Sequence, residues 1–146
     1  MALRSAVTFI TLAVLGLSAT ALAEDARQLV KLPAPAEETL RQEMRDNLVA
    51  LNEIITLTVA GKVKEAGVVA EKKLGTSTMG QHRDKPLDAR PGPHMPPAMH
   101  EVGRQGHQAA TAFAGVAATG NREKTLALLP TLNAACISCH LAFRVR

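Results

Sequence analysis

The chain has no tryptophan and no tyrosine, and beyond residue 23 it keeps only two phenylalanines, Phe113 and Phe143. Large aromatic rings normally supply much of a core's buried area. A domain filled instead with Ala, Leu and Val gains from another bulky apolar body at its centre. Cysteine is equally scarce. Cys136 and Cys139 are the only two, so no second paired motif exists to help complete a four-ligand zinc site. Charge of one sign is also lacking: a net +4 is mildly basic and makes no case for nucleic acid. Past the first residues no run reads as apolar enough to cross a membrane, and no strand candidate exceeds a few residues. No acid, base or nucleophile constellation stands out, so enzymatic turnover is not expected.

The first 23 residues read as a secretory signal peptide. Arg4 supplies the positive start, "AVTFITLAVLGL" (6–17) is an apolar stretch of about a dozen residues, and "SATALA" (18–23) offers an A-x-A cleavage site. Cleavage leaves 123 of the 146 residues, one ordinary domain of net charge +3, because Arg4 is the only charge removed. The mature domain, 24–146, is expected to be exported and soluble, without a membrane span.

Helical punctuation organises that domain. "APAEETLRQEMRDNLVALNEIITLTVAGK" (34–62) begins with Pro35, Glu37 and Glu38, all favourable in a first turn. Leu40, Met44, Leu48, Leu51, Ile55 and Val59 then recur in steps of three and four, predicting one buried stripe, and Gly61 is a natural stop. A second helix over 62–74 buries Val63, Ala66, Ala70 and Leu74, and the short turn before it makes an antiparallel pair. Five prolines and several glycines between residues 75 and 97 rule out a continuous helix there, leaving a long Pro/His/Met-rich loop. A third helix runs from Pro96 or Pro97 to Thr119, with a stripe of Met99, Val102, Gly106, Ala109 or Ala110, Phe113 and Ala117. Gly120-Asn121 stops it and caps a fourth, 122–144, in which Pro130 predicts a bend near residues 126–130. The fold class is all-α, an antiparallel four-helix bundle.

The last helix carries "CISCH" (136–140), and C-x-x-C-H is the haem-c attachment signature. Two thiols three positions apart can each form a thioether to a haem vinyl group. His140, one turn beyond Cys136, then offers its imidazole to the iron from the same face. A zinc site would need His82, His94 or His107 as a fourth ligand. A redox dithiol belongs to an α/β pattern that is absent, and a disulfide across three residues closes too small a loop to stabilise much.

With these features together, the chain resembles the class II c-type cytochromes, the cytochrome c′ family. The likeness lies in the C-terminal "CISCHLAFR", with Phe143 and Arg144 after the motif, in Gly120-Asn121 sixteen residues before Cys136, and in "LRQEM" (40–44) near the start of the first helix. It covers essentially the whole mature chain, and departs from the family in Pro130 and the long loop. The resemblance implies one covalent haem c, held by Cys136 and Cys139, with His140 as proximal iron ligand and Arg144 as a basic neighbour one turn on. It also implies a periplasmic location, redox protein partners, and a homodimer through the first two helices in many members.

The family divides at the sixth iron position. A methionine from the first helix makes a low-spin electron carrier; an apolar residue leaves five-coordinate iron that binds NO or CO. Met44 stands at that position, on the apolar stripe, and a thioether opposite histidine raises the reduction potential. Met44 as simple core filler is the plainer alternative. Competing ligands are Met79, Met95, Met99, His94, His100 and His107, while His82 reads as a loop residue without a role. The expected function is electron transfer. The alternatives are NO/CO binding and a haem-free protein handling metal through its His and Met residues. Arg104, Arg122, Arg144 and Arg146 offer a basic surface that could steer acidic partners.

Overall fold

The computed structural model describes residues 24–146; the expected signal peptide, residues 1–23, lies outside the described residues. The described chain is all-α apart from two two-residue strands, with helices α1 (Ala34–Val59), α2 (Val63–Leu74), α3 (Pro97–Ala118), α4 (Arg122–Ala127) and α5 (Leu129–Ala142). Pro35 sits in the first turn of α1, where its missing N–H costs nothing. At the other end Gly61 adopts φ 79°, while its N–H bonds the Thr58 carbonyl and the Lys62 N–H bonds the Leu57 carbonyl. That is a Schellman cap, and it turns the chain into α2 within three residues. Gly120 repeats the left-handed stop after α3 at φ 77°, and Asn121 Oδ1 accepts from the Lys124 N–H to start α4.

The expected bend in the last helix is a full break at Leu128. Pro130 thereby falls in the first turn of α5, where its missing N–H leaves no helical bond unmade. The far end of that helix differs from expectation. It stops at Ala142, and Phe143–Arg144 is an extended strand (β2) pairing in parallel with Gln28–Leu29 (β1), with the Val30 N–H donating to the Arg144 carbonyl at 2.8 Å. The apolar character of this region also exceeds expectation: the 21 residues Arg122–Ala142 are long and apolar enough to cross a membrane by length and composition. In the fold they are broken at Leu128 and α5 lies against α3.

α1 packs on α2, α2 on α3, α3 on α5, and α4 closes one end against α1. The main core joins Ile54, Ala66, Ala70, Ala110, Phe113, Ala117 and Leu132; a second cluster joins Val30, Leu40, Met99 and Phe143. Alanine predominates at the helix contacts, which brings backbones close: a Cβ on Gly67 of α2 would stand 2.8 Å from the Ala117 Cβ of α3. The buried face of α1 keeps the predicted stripe only at Leu40 and, half-buried against the core, Leu51. Ala36, Leu40, Ala50, Ile54 and Thr58 are buried, whereas Met44, Leu48, Ile55 and Val59 are exposed. Small Ala50 and Thr58 allow the close contact, with Thr58 Oγ1 satisfied by the Ile54 carbonyl at 2.7 Å. The larger exposed apolar side chains point elsewhere, and two of them, Met44 and Leu48, border the site.

Candidate cofactor site

Between α1, α3 and α5 lies a cavity of about 1180 Å³. This slightly exceeds the roughly 300–1,000 Å³ of ordinary ligand pockets. Met44, Leu48 and Leu51 line it from α1, Met99, Gly103 and His107 from α3, and Cys136, Cys139, His140 and Phe143 from the C-terminal segment. All four site residues expected from the sequence (Cys136, Cys139, His140 and Met44) therefore border one space. Met44 reaches it from the wall of the cavity and not from within helix packing, and stays 38% exposed.

Both cysteines are free thiols, Cys136 exposed and Cys139 half-buried. Burial pushes both thiols above their usual range, and Cys136 adds a smaller upward push on Cys139. A reactive redox dithiol needs the opposite, a lowered pKa in an electropositive setting. Neutral S–H groups suit addition across a vinyl bond, in which sulfur joins one carbon and the thiol hydrogen the other. Among the described residues no three His, Cys, Asp or Glu side chains converge on a point. Zinc would require such a set, whereas a porphyrin brings four of the iron's ligands itself and asks the protein for one or two.

The 75–97 loop forms a wall of the cavity. Met79, Gly80, His82, Arg83, Arg90 and Met95 all line it. Met79 and Met95 are thus cavity neighbours, and His82, which the sequence gave no role, fastens the loop to α1. Its Nε2 lies 3.3 Å from Glu43 Oε2, and Gln81 Nε2 donates to the same carboxylate at 3.1 Å. His94 is turned away, its Nε2 donating to the Leu87 carbonyl at 3.1 Å, and it does not border the cavity. His107 Nδ1 lies 2.8 Å from the Leu74 carbonyl, which can only accept. The proton is therefore on Nδ1, and Nε2 keeps the lone pair when the ring is neutral.

Arg144 is not one helical turn beyond His140, because the chain is already extended there. It borders the cavity from β2, its Nε buried without a hydrogen bond and 3.5 Å from Asp25 Oδ2. Asp25 itself is held down to about 2, chiefly by hydrogen bonds from the Arg27 side chain and then the Arg27 amide. The same Arg27 donates through Nη1 to the His140 carbonyl at 3.4 Å, tying the N-terminal segment to the end of α5.

The donor set fits a haem: two thiols, an imidazole one turn on, apolar walls, and arginines at the rim for carboxylates. Neither the loop wall nor the N-terminal strap is visible in local patterns, since both depend on contacts between residues far apart in the chain. No protein-family model, no curated protein and no solved structure matches this chain.

Proposed function

We propose that this chain is an exported, periplasmic monohaem c-type cytochrome of the class II kind, an antiparallel four-helix bundle that passes single electrons between redox proteins. The observation that carries this reading is the meeting of Cys136, Cys139 and His140 on α5 with Met44 on α1 around one cavity. The bound group would supply one-electron Fe(III)/Fe(II) chemistry. Cys136 and Cys139 would hold it by thioethers, and His140 would supply its imidazole to the iron. Met44 would add a soft thioether ligand, which favours the reduced state. Leu40, Leu48, Leu51 and Met99 limit water around it, which raises the cost of localised charge.

A second reading, five-coordinate iron that binds NO or CO, is favoured by one observation. Met44 is 38% exposed on a wide cavity, so packing alone does not hold its sulfur in place. A haem-free protein handling metal through His and Met is the third reading. The absorption spectrum of periplasmically matured protein separates them. Electron transfer predicts a six-coordinate low-spin spectrum indifferent to CO, which Met44→Ala converts to a high-spin, CO-binding form. A wild type that is already high-spin and binds CO would establish the second reading, and loss of all haem on acid–acetone extraction would remove both haem readings.

A further inference from the structure

Nine of the chain's arginines lie in the described residues, and eight of them border the cavity; only Arg122 does not. Among the described residues no lysine lines it, and Glu43 is its single acidic side chain. Such a rim calls for an occupant carrying anionic groups, and arginine in place of lysine suits planar carboxylates, which its fork can grip through two parallel bonds. Five of the eight already face protein carboxylates. Arg41 pairs with Glu37, Arg45 with Glu38, Arg104 with Glu101, and both Arg27 and Arg144 with Asp25.

Two others differ. Among the described residues Arg83 donates only to backbone carbonyls, through Nε to Gly80 at 3.0 Å and Nη2 to Met79 at 3.5 Å. Arg90 donates through Nε to the Lys85 carbonyl at 2.6 Å. These bonds fix each side chain's stem without neutralising its charge. Gly80 is needed for the first of them. Its φ of 77° favours glycine, and a Cβ there would stand 3.1 Å from Arg83 Nη2. Arg146 has no hydrogen bond among the described residues that would aim it.

We propose that Arg83 and Arg90 bind the two haem propionates, making the 75–97 loop the carboxylate clamp of the site. The proposal rests on the haem reading above. Vinyl groups and propionates occupy opposite edges of a haem, so thioethers on α5 leave the propionates pointing away from α5. The 75–97 loop packs on α1 through Leu87–Ala89 and on α2 and α3 through Thr76–Thr78, and it brings to the cavity two guanidinium groups without a carboxylate partner among the described residues. An arginine beside a carboxylate lowers its pKa by about 1–3 units. The propionates therefore titrate below the ordinary carboxylate range while the clamp is intact.

The experiment follows the reduction potential against pH in haem-loaded wild type, Arg83→Gln/Arg90→Gln, Arg83→Lys/Arg90→Lys and Arg122→Gln. Glutamine at both positions is expected to move the acid-limb inflection up by at least one unit, a tenfold change in proton affinity. The lysine pair retains charge and recovers most of the shift, and Arg122→Gln leaves the profile in place. Glu43, His82, His100 and His107 also face this space, and the lysine pair, which keeps the charge beside them, is the control for their contribution. If the glutamine pair fails to mature, infrared titration of the wild-type propionates decides instead: a pKa in the ordinary carboxylate range would overturn the clamp. An unchanged inflection in a glutamine pair that carries covalent haem would overturn it too, and leave the haem reading standing. Absence of covalent haem from the wild type would overturn both.

Discussion

Gly67 and Gly115 show how one residue type takes opposite roles according to what its missing side chain would meet. A Cβ at Gly67 would stand 2.8 Å from the Ala117 Cβ and 3.1 Å from the Ala114 carbonyl oxygen, both fixed to α3. One at Gly115, on the outside of α3, would meet nothing within 4 Å. Alanine in place of glycine within a helix gains about 1 kcal/mol. Overpacking a close helix contact costs about 1–3 kcal/mol. Gly115→Ala is therefore expected to stabilise by about 0.5–1 kcal/mol. Gly67→Ala should instead destabilise by about 1–2 kcal/mol, the packing cost exceeding the propensity gain. Urea titration of the two variants checks this, and the same sign for both would refute the close contact. Ala117→Gly added to Gly67→Ala removes the 2.8 Å clash but leaves the Ala114 carbonyl, so recovery should be partial. Gly106 resembles Gly67 more mildly, with 3.2 Å to the Ala135 Cβ.

The strap formed by residues 25–30 and Phe143–Arg144 acts on an element, because it holds the C-terminal end of α5 three residues past the histidine. Its charge centre is Asp25, which accepts from Arg27 Nε at 2.9 Å and Nη2 at 2.7 Å, and faces Arg144 Nε at 3.5 Å. The Asp25 carboxyl is lowered from 3.8 to about 2. A lowered carboxylate contributes stability that is complete above its unfolded pKa and disappears as pH falls through its folded one. Protection of the Val30 amide, which bonds the Arg144 carbonyl at 2.8 Å, should thus be flat above pH 4 and decline between pH 4 and about 2. Asp25→Asn should lower that protection at neutral pH and erase the decline. A decline that persists in the variant would place the titrating group elsewhere. Since Arg27 also reaches the His140 carbonyl, the same variant should perturb the spectrum of the haem-loaded protein while leaving thioether attachment intact.

For the molecule as a whole, the helices and the grouping of Cys136, Cys139 and His140 on one helix were legible because their signals are local. Gly61, Pro97, Gly120-Asn121 and Pro130 punctuate the chain where the backbone does, and C-x-x-C-H needs only one helical turn. The face of α1 differs from the predicted stripe because hydropathy does not distinguish a core from the wall of a cavity: Met44, Leu48 and Ile54 are all apolar, yet only Ile54 is buried by protein. The loop wall and the strap were illegible because Glu43 meets His82, and Gln28 pairs with Phe143, across long sequence separations that no local pattern encodes. The misread face has a thermodynamic consequence. α1 and α5 border the same cavity, while the principal contacts of α5 are made with α3. A haem between them would bury the Met44 and Leu48 side chains that the protein leaves 38% and 68% exposed. Burying apolar surface is worth about 25 cal/mol per Å², so even a few hundred Å² across both walls amounts to several kcal/mol. The Cys136→Ala/Cys139→Ala variant, exported and purified without haem, should keep its helical signal yet melt at least ~10 °C below the loaded protein, since each 1 kcal/mol moves the midpoint of a domain this size by about 3–6 °C. The deficit should fall on α1 and α5, read as faster amide exchange around Leu48 and Cys139 than around Phe113, whose surroundings are filled by protein alone. Equal melting temperatures, or uniform exchange throughout the chain, would mean that the cavity wall is already stable without a cofactor against it.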